Sequence, residues 1–214
     1  MENQEYSQQL FKDIVGHSYP IKLLAAALNK KHIAPAYLFT GAHGIGRKLT
    51  ALRFLEGLNS NINGNVNIRR KLEKRNHPDL IWIEPTYVHQ GKLISKSIAE
   101  KENSTKRSPP QIRLEQIKEL KQFLGKNPLE SEFIMIIIEN LEMLNEPAAN
   151  ALLKTLEEPG KGVFLLITSR PESTLSTIKS RCQTIPFNRL SINSIEEIFR
   201  NKDLVLQQKK SIFQ

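Results

Sequence analysis

Hydrophobic positions along this chain switch repeatedly between the 3.6-residue spacing of amphipathic helices and short unbroken apolar runs. Ile21, Leu24, Ala25 and Leu28 recur at helical spacing behind Pro20, a residue suited to the first turn of a helix. Ala36 to Thr40 (AYLFT) is a short apolar run ending at a glycine-rich turn, and it predicts a buried strand. After Gly46 a second helix carries Leu49, Leu52, Leu55 and Leu58 on one stripe. DLIWIEP predicts a second strand that stops at Pro85. Gln111 to Leu124 predicts a helix with Ile117, Leu120 and Leu124 inward. The run from Phe133 to Ile138 predicts a third strand, unbroken in hydrophobicity as when both faces are covered. Pro147 opens the helix PAANALLKTLEE, VFLLIT predicts a fourth strand and CQTIPF a fifth.

This alternation predicts an α/β fold, a mostly parallel sheet with helices on both faces. Two stretches break the rhythm. Asn59 to Asn76 is rich in Asn and basic residues, and Thr86 to Pro110 is polar, basic and nearly free of apolar pattern. Both read as surface excursions, the second partly without fixed structure. Beyond Asn188 the pattern turns helical again, in SIEEIF and then LVLQQKKSIF. The expected division is an α/β domain over residues 1–187 and the beginning of a helical domain over 188–214.

Composition narrows the function classes. With 214 residues, 39% of them hydrophobic, the chain can bury one sizeable core. Lys plus Arg number 31 against 22 Asp plus Glu, a net charge of +9 that suits contact with phosphates. One cysteine, Cys182, excludes an intramolecular disulfide and a Cys-based zinc site, and a reducing cytoplasm is the expected compartment. The polar start MENQEYSQQLFKDI has no signal-peptide pattern. The run from Phe133 to Ile138 is far short of the ~20 residues that span a bilayer, so no membrane partner is expected.

GAHGIGRKLT, Gly41 to Thr50, follows a strand and opens a helix, the context of a phosphate-binding loop. Gly41, Gly44 and Gly46 let backbone N–H groups curl round phosphates at the positive end of a helix. Such loops continue with Lys and then a Ser or Thr that holds Mg²⁺. Here Arg47 and Lys48 follow instead. Arg47 can still contact phosphate, but the Lys48 ammonium cannot ligate a metal, and Thr50 lies two positions too late. The strand that should end in a metal-binding Asp, with Glu following in many such proteins, ends in Glu139 and Asn140. Asn140 cannot serve as a general base, and Glu142 reads as a solvated side chain. Two readings stand: a glycine turn that binds nothing, or a loop that takes ATP or ADP weakly without hydrolysis. Neither requires a cofactor or a metal.

FKDIVGH (Phe11 to His17), the glycine loop, HPDLIWIEP (His77 to Pro85), PAANALLKTLEEP (Pro147 to Pro159) and SRCQTIPF (Ser180 to Phe187) occur in that order. Together, over about residues 8 to 190, they resemble the AAA+ module of bacterial clamp-loader subunits of DNA polymerase III, most closely the delta-prime branch. The resemblance implies a P-loop NTPase-like fold followed by the beginning of a small helical lid, with the family's C-terminal collar domain absent from this chain. It implies that Arg181, in the Ser-Arg-Cys motif, is an arginine finger reaching the ATP of a neighbouring subunit. The alternative for Arg181 is to cap the preceding helix or pair with a surface carboxylate. The resemblance also implies gamma/tau and delta subunits as partners, with the sliding clamp and primed DNA reached through the complex. Ile14 and Val15 match positions beside the adenine pocket, with core packing as the other reading. Thr168 and Ser169 match a γ-phosphate sensor, although a loop without catalysis leaves nothing to sense. The four-cysteine zinc module that many relatives insert would fall in Asn59 to Asn76, which has no cysteine.

Three functions compete. The first is a non-catalytic clamp-loader subunit that donates Arg181. The second is an active gamma/tau-type ATPase using Lys48, disfavoured by the missing hydroxyl and by Asn140. The third is a basic nucleic-acid module using Arg69, Arg70, Lys71, Lys74 and Arg75, disfavoured because no aromatic is interleaved with those charges.

Overall fold

Successive side chains of a strand point to opposite faces, and the apolar runs of this chain fill both. The computed structural model describes residues 9–59, 67–89, 92–101 and 109–201. A helix α1 (Ser18–Asn29) precedes strand β1 (Ala36–Thr40), followed by α2 (Arg47–Leu58), a short α3 (Ile68–Glu73) and β2 (Leu80–Ile83). A hairpin of β3 (Thr86–His89) and β4 (Lys92–Ser95) leads into α4 (Lys96–Lys101). Then come α5 (Leu114–Leu124), β5 (Ile134–Glu139), α6 (Glu146–Glu157), β6 (Gly162–Thr168), α7 (Ser176–Lys179) and β7 (Gln183–Pro186).

The five long-range strands form one sheet in the order β2-β5-β6-β1-β7, every neighbour parallel. Tyr37, Phe39, Met135, Ile137, Leu165 and Ile185 point into a core roofed by α1, α2 and α3. Ala36, Leu38, Ile136, Ile138, Phe164 and Leu166 point into the opposite core, against α5, α6 and α7. The expected α/β sheet with helices on both faces is thus the observed architecture.

Three elements differ from the sequence pattern. Helix α5 starts at Leu114, because Gln111 and Ile112 are extended and bridge Thr86 and Leu144. The stretch from Thr86 holds the β3–β4 hairpin and α4, with Tyr87 opposite Ile94 and Val88 opposite Leu93. Its apolar residues are few, but they are placed to pair across strands. Within Asn59 to Asn76, α3 folds back with Leu72 buried. Its charges are engaged: Arg69 pairs with Glu56 at 2.8 Å, and Lys71 with Glu130 at 2.6 Å. Arg53 is buried beneath, held by Asp13 at 2.6 Å and Glu73 at 2.9 Å. Residues 192–201 are helical, as the pattern after Asn188 predicts, and LVLQQKKSIF lies outside the described residues. Among the described residues no helix is long and apolar enough to cross a membrane.

Asp79, at the entry to β2, ties the sheet to the loop before β5. Its carboxylate accepts from the backbone N–H groups of Leu129, Glu130 and Ser131 at 2.6, 2.7 and 2.9 Å, and from the Ser131 hydroxyl at 3.0 Å. Burial alone would raise its pKa, but these donors outweigh burial and hold it below the ordinary value. Asp79→Ala removes the charged acceptor of three backbone N–H groups at a partly buried turn and is expected to cost about 2 kcal/mol in urea unfolding. Because the folded pKa is depressed, the ionised form contributes its stability above the unfolded pKa of about 3.9. That contribution fades as pH falls through the lower folded value, so the variant's deficit should shrink below about pH 4.

Candidate functional site

The loop between β1 and α2 keeps its shape through two glycines that no other residue replaces. A Cβ on Gly41 would lie 2.4 Å from the Phe187 carbonyl oxygen. Gly46 caps α2 at φ +99°, a left-handed conformation costly for L side chains. Gly44 has open space before it. Two cavities share this loop. One, of 560 Å³, is mainly apolar and is lined by Ile14, Val15, His17, Leu49, Leu190 and Ile198. The other, of 460 Å³, is of mixed character, with His43, Arg47, Lys48, Glu139 and Asn140 on its wall beside Leu49, Leu52 and Ile167. His17 braces the loop, with Nε2 2.5 Å from the Ile45 carbonyl and its ring edge-on to Phe187.

The side chains expected to handle phosphate are engaged with the protein itself. Arg47 is buried and donates to the Thr168 carbonyl at the end of β6. Burial pulls its pKa down, partly offset by Glu142 and Glu139. Thr50 is buried, and its hydroxyl donates back to the Gly46 carbonyl at 3.0 Å. Lys48 reaches out to Glu139, Nζ to Oε1 at 2.9 Å. The same oxygen accepts from the Trp82 indole at 2.6 Å and from Arg75 at 3.3 Å. A divalent cation does not fit this arrangement, because two positive charges already occupy Glu139 and no hydroxyl stands at position 48.

Glu142, expected to be solvated, is instead buried and bonded. It accepts from the hydroxyls of Ser169 at 2.5 Å and Thr168 at 2.9 Å. Burial pushes its pKa up, but the bonds from Ser169, its own backbone and Thr168 overcome that and keep it ionised. Ser169 also contacts His43 Nε2 at 2.7 Å. The positions matched to a phosphate sensor therefore sit in a closed network around Glu142.

Arg181 lies elsewhere. It follows α7 and precedes β7, so it belongs to the edge where the parallel strands begin, whereas the glycine loop follows β1 at the edge where they end. Strand β7 has four residues, roughly 13 Å of separation, more than an arginine spans. Within the chain its guanidinium donates to the Thr177 carbonyl at 2.9 Å and to Glu157 at 2.6 Å. Both halves of the structural alternative for Arg181 are therefore present, and the side chain remains about one-third exposed. Cys182 beside it packs against the second core, and burial pushes its thiol up to about 12.

A family model described as DNA polymerase III, delta subunit, matches residues 16–191. The chain belongs to this family. It is 35% identical over 191 residues to the DNA polymerase III subunit delta' of Bacillus subtilis, covering 86% of this chain and 51% of that one. It is 29% identical over 201 residues to the DNA polymerase III subunit tau/gamma of Haemophilus influenzae, covering 91% of this chain and 26% of that one. The chain thus spans about half or less of these relatives. The fold is also that of the RuvB Holliday junction branch migration motor of Thermotoga maritima. That match has a TM-score of 0.57 and 13% identity, over 90% of this chain and 52% of that chain.

Sequence reasoning placed Lys48, Glu139 and Asn140 in one site but missed Arg75 and Trp82. Arg75 was read as one charge in a run without aromatic partners, yet its guanidinium stacks 4.0 Å from the Trp82 ring centroid. Strand alternation places Trp82 and Glu84 on one side of the chain, but no local signal in the sequence brings Arg75 to them. Arg47→Met should cost about 2 kcal/mol in urea unfolding, because it leaves the Thr168 carbonyl and Glu142 without their buried cation. Lys48→Met, at a half-exposed neighbour, should shift stability by less than about 1 kcal/mol.

Proposed function

We infer that the chain is the AAA+ module of a non-catalytic, delta-prime-type clamp-loader subunit of DNA polymerase III. In this reading it helps load the sliding clamp on primed DNA during replication, in the cytoplasm. It assembles with gamma/tau and delta subunits and donates Arg181 to a neighbour's ATP. The observation that carries the non-catalytic part is the state of Glu139, whose oxygen is taken by Lys48, Trp82 and Arg75. The loop and its two adjoining cavities still offer room for ATP or ADP bound weakly and without turnover. The alternative, an active gamma/tau-type ATPase, needs a metal at Glu139 and a base at Asn140, and neither side chain supports it.

The placement of Arg181 favours action between subunits. A chain whose phosphate loop and arginine lie at opposite ends of its sheet cannot bring them together, but a head-to-tail neighbour can. Arg181 would leave Thr177 and Glu157 for the neighbour's phosphate oxygens. A guanidinium keeps its charge at every physiological pH, and its planar fork suits charge developing in phosphoryl transfer.

The test is ATP turnover by a reconstituted full-length complex carrying Arg181→Ala. At the affected site turnover should fall on the order of 10³-fold, with a smaller bulk loss where other sites keep their fingers. The melting curve should move little, since an exposed ion pair contributes about 0–1 kcal/mol. Arg181→Lys should rescue poorly. Unchanged turnover in an assembled complex refutes the finger, and a large melting shift assigns Arg181 a structural role. The chain alone should release no phosphate from ATP. Steady release that disappears in Glu139→Gln would establish the alternative.

A further inference from the structure

The glycine loop lacks more than a metal ligand: the position a metal would take is filled by the protein's own charges. Arg75 arrives there by an unusual route. It terminates α3 with φ +57°, left-handed backbone that is uncommon outside glycine. That turn directs its side chain over β2, where Nη2 meets Glu139 at 3.3 Å and Nη1 meets Glu84 at 3.5 Å. Lys48 comes from the first turn of α2 and meets the same Glu139 oxygen at 2.9 Å. Both cations lie over the same indole, Lys48 Nζ at 4.7 Å and Arg75 Cζ at 4.0 Å from the ring centroid. Trp82 thus attracts both charges through its π face and donates its own N–H to the carboxylate they neutralise.

We propose that Lys48 and Arg75, aligned by Trp82, act as an internal cation that replaces the divalent metal at Glu139 and closes the site to metal ions. They are positioning residues for that carboxylate. The proposal rests on the reading of the loop as non-hydrolysing and deepens it, from a site that lacks ligands to a site already filled. It also makes a demand the simpler reading does not. Restoring the hydroxyl at position 48 is insufficient, because Arg75 still covers Glu139. Removing both charges exposes a carboxylate beside a glycine loop, with Trp82 and Glu84 in place.

Trp82 is the one tryptophan of the chain, so terbium emission excited through indole reports metal bound at Glu139. The unaltered chain and Lys48→Ser should both stay dark on titration with Tb³⁺. The double variant Lys48→Ser/Arg75→Gln should give sensitised emission at least about tenfold higher, displaced by excess Mg²⁺ and abolished by adding Glu139→Gln. In the Lys48→Ser background Arg75→Lys should remain dark, since it keeps the charge. Circular dichroism melting establishes that each variant is folded. Emission from the unaltered chain overturns the proposal, as does full emission from Lys48→Ser alone or a folded double variant that stays dark. Should the double variant fail to fold, Lys48→Thr/Arg75→Met is held to the same outcomes. Phosphate release by the unaltered chain is a separate measurement, and it bears on the non-hydrolysing reading whatever the emission shows.

Discussion

A strand buried on both faces leaves charge nowhere to go except its ends, and the candidate site follows from that constraint. In β5 every residue from Ile134 to Ile138 is buried, and in β6 the burial runs unbroken from Gly162 to Thr168. A charge inside either strand would meet a core on one side or the other, at a cost of several kcal/mol. Polar chemistry is therefore displaced to the strand termini. Because all five strands run parallel, the ends of β1, β5 and β6 open on the same edge. Gly41 to Gly46, Glu139 and Thr168 meet there although more than a hundred residues separate the first from the last. The opposite edge collects what precedes the strands, including Arg181 and the end of α6.

Electrostatics at the loop edge are arranged by pairing. Glu142 is held ionised by hydroxyl and backbone donors, and buried Arg47 stands close enough to feel its charge. Glu139 is matched by Lys48 and Arg75. In a partly dry environment such pairs hold one another more firmly than on an open surface. The loop is therefore a preorganised and internally neutralised structure, while its backbone still has the glycine geometry of a phosphate cradle.

The sheet, its helices and the loop were legible because apolar periodicity reports burial directly. Short unbroken runs at Ile134–Ile138 and Val163–Thr168 read as strands covered twice, and the stripe Leu49–Leu52–Leu55–Leu58 reads as the core-facing side of a helix. The β3–β4 hairpin was hidden because two apolar residues per strand produce little signal against Lys and Ser. The candidate site was legible where its residues lie on strand ends, as Glu139 and Asn140 do. It was illegible where the deciding contact joins distant segments. Nothing local tells that Arg75 turns back at φ +57° to stack on Trp82, or that Glu142 meets Ser169.

Cys182, next to the candidate finger, is the chain's single thiol, and burial holds its pKa near 12. Alkylation and disulfide exchange proceed through the thiolate, which is scarce here at neutral pH. The thiol beside Arg181 is thus a poor target for thiol reagents at neutral pH. A cysteine engineered at an exposed position such as Ser176 would carry a fluorophore selectively, with the native residue left in place.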